Sequence, residues 1–445
     1  MKIIIAGAGE VGTHLAKMLS KEKHSITVLD EREDVLNSLN ANYDLLTLYG
    51  SPNSIDKLRE AGCEKADLFI GVTPEECRNI TACYLASRLG ARKTVARVES
   101  PEYMTPENQE YFRSLGINRL ICPEILAAKD IADTVDRPWV RQFHEFDKGA
   151  LVLIGLKIRG NAPILGKKLK DIFSSDEHCR VAAIKRRTQT IIPKGNDCIQ
   201  EDDMVYFIAT PDHIDTVRKI AGKPVESVHD VMIMGGSRIA VMAAREMAKR
   251  FDVKIIEHGK ARSEYVKEQL GSNVMVIQGD GRDVDLLRDE GIENTEAYIA
   301  LTGSAETNIF SCLAAKRFGV QRTVAEVENL DYIPLAENLD IGIVINKKLI
   351  AASYIYQMML DADVANMKCL TFADADVAEF IVKEGARVTR HPVKDLLLPD
   401  EVSLGGLIRD GQGIIIYGNT RILPGDRVVV FCANSSLQKL DKYFN

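Results

Sequence analysis

KIIIAGAGEVGTHLAKMLSKEKHSITVLDE, residues 2–31, decides the fold. An apolar run ends in glycines, a stretch with helical apolar spacing follows, and a second apolar run closes on Asp30. Short apolar runs bounded by turn residues read as strands buried on both faces, so the segment is a strand–helix–strand unit of a parallel sheet. Between strand and helix, Gly7-Ala8-Gly9-Glu10-Val11-Gly12 matches G-x-G-x-x-G. In this context Gly7 permits the tight turn and Gly9 lets the backbone approach a pyrophosphate, while Gly12 lets the helix pack on the strand. The N–H groups at the helix start then face an anion. Asp30 ends the second strand, where a carboxylate can accept both ribose hydroxyls; this favours NAD or an adenosine nucleotide over NADP, although Arg32 close by weighs the other way. Asp30 also reads as a turn or cap residue before EDVLNSL.

Outward from this unit, DLLTLYG, ADLFIGVT and KTVARVE supply further strands, with helical stretches such as NITACYLASRLG between them. Strand–helix alternation of this kind predicts a parallel sheet covered by helices on both faces. The pattern then recurs. Gly50 matches Gly279, Thr73 matches Thr302, Asn79 matches Asn308 and Gly90 matches Gly319, each 229 positions apart. A constant register over that length marks a tandem duplication. The second copy reads through VMIMGG, VKIIEHG, VMVIQG, AYIALT and RTVAEVE.

A smaller unit follows each copy and also repeats: Val181/Leu404, Gly195/Gly418, Asn196/Asn419 and Asp203/Asp426 lie 223 apart. Short alternating runs separated by Gly-Asn and Pro-Gly-Asp turns make it β-rich, and it carries no catalytic constellation. The expected architecture is α/β: two doubly wound, Rossmann-like parallel sheets, each followed by a small β-rich α+β domain. The boundaries read as 1–130 and 229–350 for the large domains, and 147–222 and 369–445 for the small ones. Helical connectors fall at 131–146 and 351–368. The apolar faces of PEILAAKDIADTV and NKKLIAASYIYQMML fit either intradomain helices or packing arms.

Thr73-Pro74-Glu75-Glu76 follows the fourth strand and reads as a capping box that also lies beside the ligand crevice. In the second copy Ala305 replaces the glutamate while Thr302 stays. Arg97, in TVARVE, is a cation at the end of a parallel strand, expensive unless an anion meets it. A nucleotide phosphate and an internal carboxylate are equal candidates.

Aligned on the first loop, Gly235 takes the place of Gly7, Ser237 of Gly9 and Ala240 of Gly12. Ser237 adds a side chain where close pyrophosphate approach is wanted, and Glu257 stands near Asp30's position. Two charges exchange places: Glu10 becomes Arg238, and Arg97 becomes Glu326. Either they pair across the mouth of each cleft, or one of them moves when ligand binds, or they drifted independently. If paired, the clefts present opposite charge at matching points and differ in ligand preference.

Apolar residues make up 46% and charged ones 27%, ordinary for a soluble globular protein. A formal net charge of −7 argues against nucleic acid as a partner. No apolar stretch approaches the roughly 20 residues of a bilayer span, and the N-terminus lacks the features of a signal peptide. Nine cysteines without CxxC or metal-ligand spacing fit a reducing cytosol. The eight histidines form no base–carboxylate or metal-ligand arrangement, so catalytic and metal sites are expected to be absent. His14 reads as a helix-surface residue, and Cys77 and Cys83 as packing residues. A nicotinamide dehydrogenase would join its cofactor domain to a distinct catalytic domain; here the remainder is another copy and two small modules. A nucleotide-reading regulator fits better, with an NAD-dependent oxidoreductase as the alternative.

GAGEVG with Asp30, T-P-E-E-x-x-N through Asn79, VARVE and the β-rich module together resemble the KTN/RCK family of potassium-conductance regulators. The tandem arrangement resembles its Trk-type members over the whole chain. The resemblance implies a cytosolic, peripheral regulatory subunit that binds NAD(H), ATP or ADP. It also implies assembly as a ring, a homotetramer, beneath a membrane-embedded potassium-translocating subunit. Carried over residue by residue, it assigns Gly7, Ala8, Gly9, Glu10, Val11, Gly12, Asp30, Glu31, Arg32, Thr73, Pro74 and Arg97 to the first nucleotide site. To the second it assigns Gly235, Gly236, Ser237, Arg238, Ile239, Glu257, Thr302 and Glu326.

Overall fold

In a computed structural model of the chain, all residues are described except 21–23, 174–177, 188, 226, 360–363, 370–374, 434–436 and 445. Two compact units result: residues 1–127 with 347–359, and residues 128–346 with 360–445.

The first unit is built on β1 (Lys2–Ala6), α1 (Glu10–Leu19), β2 (Ser25–Asp30), α2 (Glu33–Asn42), β3 (Leu46–Tyr49), α3 (Ile55–Glu60), β4 (Leu68–Gly71), α4 (Glu76–Leu89), β5 (Thr94–Arg97), α5 (Pro106–Ser114) and β6 (Arg119–Ile121). The strands are parallel in the order β3-β2-β1-β4-β5-β6. The order reverses between β1 and β4, and ligands bind outside the strand C-termini at such a switch point. Ile3, Ile4 and Ile5 are all fully buried, because helices cover both faces of the sheet. Val11, Leu15, Ala16 and Leu19 form the stripe that seats α1 against it.

Helix α6 (Pro123–Val135) leads into the second unit. There β7 (Gln142–Phe146), β8 (Leu151–Lys157), α7 (Leu169–Ile172), β9 (Cys179–Arg186), β10 (Gln189–Ile191), β11 (Met204–Ala209) and α8 (Ile214–Ile220) form the first small domain. Its sheet is antiparallel, ordered β10-β9-β11-β8-β7. The second large domain follows with β12 (Asp230–Met234), α9 (Arg238–Met247), β13 (Asp252–Glu257), α10 (Lys260–Leu270), β14 (Met275–Gln278), α11 (Val284–Asp289), β15 (Ala297–Ala300), α12 (Ala305–Arg317), β16 (Arg322–Glu326), α13 (Tyr332–Asn338) and β17 (Ile343–Ile345). Its strand order, β14-β13-β12-β15-β16-β17, repeats that of the first sheet. After α14 (Lys347–Met359), strands β18 (Val364–Cys369), β19 (Ala375–Ile381), β20 (Val402–Arg409), β21 (Gln412–Ile415) and β22 (Arg427–Ala433) make the second small sheet, closed by α15 (Leu437–Phe444). The doubly wound pair of large sheets and the β-rich small domains expected from the repeats are thus observed.

The connectors differ from expectation. The segment 131–146 is helical only to Val135 and ends in β7, while 351–368 is helical only to Met359 before β18 begins. In each case the outermost strand of the small sheet is drawn from the connector, which periodicity assigned wholly to helix. Neither helix stays within its own copy. Helix α14, which follows the second large domain, packs against α1 of the first. At the other end, Arg322 of β16 donates to Thr134 O at 2.6 Å and Pro138 O at 2.8 Å, while Arg250 pairs with Asp136 at 2.9 Å. At Thr134 O the guanidinium satisfies a carbonyl that the end of α6 leaves open.

The small domains share an anchor that the turn motif concealed. Asp203, 1% exposed, accepts Arg186 Nε and Nη2 at 2.9 and 2.7 Å and the Gln200 N–H at 2.8 Å. Asp426 does the same with Arg409 at 2.8 Å twice and with Leu423 N–H at 2.7 Å.

Candidate functional site

The first cleft lies where β1, β2 and β4 end. Gly7 adopts φ +112°, and a Cβ there would meet Thr73 N at 2.8 Å, so only glycine turns the chain between the strands. At Gly12 a Cβ would fall 1.8 Å from Gly7 O, the helix-on-strand contact the motif requires. Gly9 differs: the nearest atom to a Cβ there is Arg32 Nη2 at 3.9 Å. Its lack of a side chain serves no internal packing and leaves the cleft floor open. Helix α1 starts at Glu10 without a side-chain cap, so its leading N–H groups face that opening. Val11 is buried and can offer only its backbone.

Asp30 accepts the Ala8 N–H, the Arg32 N–H at 2.9 Å and Arg32 Nε and Nη2 at 3.0 Å each. Burial pushes its carboxyl up, but the Arg32 guanidinium and the two backbone donors outweigh this and hold it below the usual carboxylate range. The cap reading is not realised, because Arg32 occupies the N-cap position of α2. Instead Asp30 ties the glycine loop to the end of β2. Glu31 pairs with Arg78 of α4 at 2.8 Å across the cleft mouth.

The capping box at Thr73 does not form: α4 starts at Glu76, three residues after Thr73, with Glu75 at the cap and no side-chain cap bond. Glu76 instead accepts the N–H groups of Glu99 and Ser100 at 2.8 and 2.9 Å, fixing the loop beyond β5. Thr73 belongs to another device, one the aligned asparagines signalled without revealing its role. Asn79 is fully buried. Its Oδ1 accepts Thr73 N–H and Oγ1–H, both at 2.7 Å, and its Nδ2 donates to Thr73 O and Arg97 O, both at 2.9 Å. One amide thereby joins the threonine loop beside the cleft to the end of β5. Asn308 repeats this with Thr302 N, Oγ1 and O and with Glu326 O, between 2.7 and 3.0 Å. Pro74 sits exposed beside Thr73.

Glu10 and Arg97 do not pair with each other. Glu10 lies 3.1 Å from Lys348 of α14, and Arg97 reaches Glu99 at 3.3 Å and Glu124 of α6 at 3.7 Å. Internal carboxylates therefore meet the cation at the end of β5. Sequence order hid Lys348 and Glu124, which come from helices that follow the sheets, whereas Glu99 is only two residues from Arg97. Lys348 stands 224 positions after Glu124, so a third charge is inverted between the copies.

The second cleft is a cavity of about 590 Å³ lined by the glycine loop, the end of β13, the turn after β14 and the start of α12. Gly235 repeats the turn at φ +96°. Glu257 plays Asp30's part, accepting the N–H groups of Gly236 and Gly259 at 2.6 and 2.7 Å. Ser237, the N-cap of α9, accepts the Ala240 N–H at 3.3 Å with its own hydroxyl. Arg238 is exposed at the mouth, while the Ile239 side chain is buried in the core. Four titratable lining residues were not anticipated: His258, Arg262, Asp280 and Arg282. Arg262 donates to Gly236 O, and Arg282 Nη2 lies 2.7 Å from Asp280, whose carboxyl it pulls down to about 2. The sequence signal for Asp280 and Arg282 was the Asp-Gly-Arg turn closing the third strand of the copy. Glu326 is buried at the end of β16, and Ser304 caps α12 through Thr307 N–H at 3.1 Å.

The cysteines divide. Cys83 and Cys312 are fully buried and their thiols are pushed up to about 12 by burial, which suits packing, whereas Cys77 is exposed. His14 is half-buried on α1. Among the described residues no group of three or more His, Cys, Asp or Glu side chains is placed to hold a metal, and no helix is long and apolar enough to cross a membrane.

Comparison with known proteins follows the same division of the chain. Residues 3–123 and 231–347 match the TrkA-N domain, and 153–222 and 377–445 match the TrkA-C domain. The chain is 32% identical to the Trk system potassium uptake protein TrkA of Vibrio alginolyticus, over 98% of its own length and 96% of that protein's. It is also 32% identical to the protein of the same name from Halomonas elongata, over 97% and 95%. Among solved structures, the GsuK RCK domain aligns with a TM-score of 0.62 at 18% identity, covering 100% of this chain and 94% of that one. The GsuK channel bound to NAD aligns at 0.61 and 17%, covering 100% and 78%. GsuK bound to ADP aligns at 0.52 and 15%, covering 81% and 69%.

Proposed function

The chain belongs to the family of proteins with TrkA-N and TrkA-C domains in tandem, and from that premise we propose that it is a regulatory subunit whose large domains bind nucleotides and thereby control a potassium-uptake system. NAD(H), ADP and ATP are the proposed ligands; NAD and ADP are those named for the GsuK structures. The observation that carries this reading is the first glycine loop. Gly9 leaves open space over an uncapped helix N-terminus, with Asp30 and the Thr73 loop held on either side. That arrangement accepts a pyrophosphate at the helix start and a ribose near the β2 end. Gly7, Ala8, Gly9, Asp30 and Thr73 form this site; Gly235, Gly236, Ser237, Arg238, Glu257 and Thr302 form its counterpart.

Regulation requires only that a ligand bind one arrangement of the domains more tightly than another. The crossover helices offer the route, since α14 packs on α1, the helix whose first residue borders the cleft. The partner is a membrane-embedded potassium-translocating subunit on the cytoplasmic face, and the regulatory chains form a ring of four. Oxidoreductase chemistry is disfavoured because the chain beyond the first cleft is a second copy and two small sheets rather than a catalytic domain. The test is sedimentation of the purified chain with membranes of its host, with and without NADH, ADP and ATP. Nucleotide-dependent membrane association supports the proposal, and a chain that binds nucleotide yet never associates overturns it.

A further inference from the structure

Three cations converge on Asp340, in the turn between α13 and β17. Arg141 Nη2 donates to its Oδ1 at 2.5 Å and Arg159 Nη2 donates to its Oδ2. Lys316 Nζ donates to its backbone O and lies 3.5 Å from Oδ2. Arg141 precedes β7 and Arg159 follows β8, so both guanidiniums leave the same end of that antiparallel pair in the first small domain. Lys316 stands in the last turn of α12, in the second large domain with Asp340. One carboxylate thereby joins the two domains. Burial pushes it up, but Arg141, Lys316 and Arg159 outweigh this and hold it below the usual carboxylate range.

The backbone shows that this side chain is kept against local preference. Asp340 holds φ +54°, a left-handed conformation that glycine adopts freely and aspartate only at a cost. The first copy places Gly116 there, at φ +87°, where a Cβ would meet Ser87 Oγ at 2.3 Å. Ser87 is itself the counterpart of Lys316, while Ala365 and Ile381 match Arg141 and Lys157. Lys383, in place of Arg159, alone keeps its charge. The hub is built into one half of the duplication. Backbone strain of this kind persists where the surroundings fix it and a side chain has a task.

Helix α12 connects the hub to the second cleft. Its cap Ser304 and Thr307 line that cavity, and Asn308 clamps it to the Thr302 loop. Its 13 residues span about 20 Å and end at Lys316. A ligand that draws in the start of α12 moves a rigid rod whose far end is tied to Asp340. We infer that Asp340 is a relay: occupancy of the second cleft passes along α12 to Asp340 and on to the first small domain. The inference rests on the reading that this cleft binds a nucleotide.

Hydrogen exchange of the full chain, read by mass spectrometry with and without ADP, ATP or NAD, tests it. Protection of the loop at 232–242 reports occupancy, and exchange at 140–158 reports the first small domain. In the unaltered chain the nucleotide that protects the loop also slows exchange at 140–158 by about threefold or more. Asp340→Gly installs the first copy's residue and relieves the backbone, so the chain folds. It keeps the loop's protection, raises basal exchange at 140–158 about tenfold and abolishes the nucleotide response there. Lys316→Ser leaves both guanidiniums on Asp340, so basal exchange stays within about twofold, yet the response is lost. A hub that served only as glue would keep that response. A response that persists in either variant, or a protected loop without any response in the unaltered chain, overturns the relay while leaving nucleotide binding intact. A loop that none of the three nucleotides protects overturns the underlying reading of this cleft, and the relay with it.

Discussion

Asn79→Ala isolates the clamp that holds the first cleft's wall. Removing the amide leaves Thr73 N–H, Thr73 O and Arg97 O without the partner each now has, all in a region where Asn79 is fully buried and Thr73 is 5% exposed. Thr73 Oγ1 retains a hydrogen bond to Glu75 O at 3.2 Å, so it adds little to the loss. A stranded buried polar group costs about 1–3 kcal/mol. Three such groups, partly relieved by water entering the cavity left behind, give a local destabilisation of about 3–4 kcal/mol. The chain has two units, so a single unfolding free energy is ill-defined. Amide hydrogen exchange is the better assay, because it reads the opening of Thr73 directly. Exchange at Thr73 should accelerate by about two to three orders of magnitude, while Thr302, held by the untouched Asn308, keeps its protection. Asn79→Asp should be no milder, since it turns a donor facing two carbonyls into an acceptor. Unchanged protection at Thr73 in Asn79→Ala would refute the clamp.

Other consequences follow from the same contacts. A double-mutant cycle on Glu10 and Lys348 should give a coupling of about 0.5–1 kcal/mol, small because Glu10 is largely exposed, whereas Glu10 and Arg97 should give none. Asp203→Ala should cost about 1–3 kcal/mol by leaving the Gln200 N–H and the part-buried Arg186 guanidinium without their acceptor, and should lower the transition reported by Trp139, the single tryptophan, which packs on the first small domain's core. Gly12→Ala should abolish ligand binding at the first cleft, because its Cβ would collide with Gly7 O at 1.8 Å; loss of NAD binding in calorimetry checks this. Asp30's carboxyl lies below its unfolded value, so its stabilisation is present above the ordinary carboxylate range and is lost as pH falls through the lowered pKa. The Ala8 amide resonance should therefore titrate below the range of a free aspartate.

Five of the six strands of each large sheet were legible, because a strand buried in a parallel sheet writes itself as an apolar run and the duplication wrote each one twice; the three-residue β6 and β17 were too short to stand out. Gly7, Gly12 and Asp30 were legible because backbone geometry ties residue type to position at short range. The rest depended on side chains meeting across long stretches of chain. Glu10's partner is 338 positions away at Lys348, and Arg97's second carboxylate, Glu124, is in the helix after the sheet, so alternation along one strand could reach only Glu99. The capping box failed for a local reason: the buried Asn79 amide takes Thr73's N–H and hydroxyl, and the helix starts later. Asp203 and Asp426 were visible as repeated turn residues, but their arginines lie on β9 and β20, and only the matching offset of Arg186 and Arg409 hinted at the pairs.

The central claim is that ligand binding at the glycine loops controls potassium uptake. Rubidium uptake by host cells lacking the chromosomal copy, complemented with the unaltered chain or with a Gly9→Trp, Arg238→Glu double variant at equal abundance, tests it most directly. The account predicts that the unaltered chain restores uptake and that the double variant uncouples uptake from the cell's nucleotide state. Uptake indifferent to deletion, or regulated identically by the double variant, contradicts it.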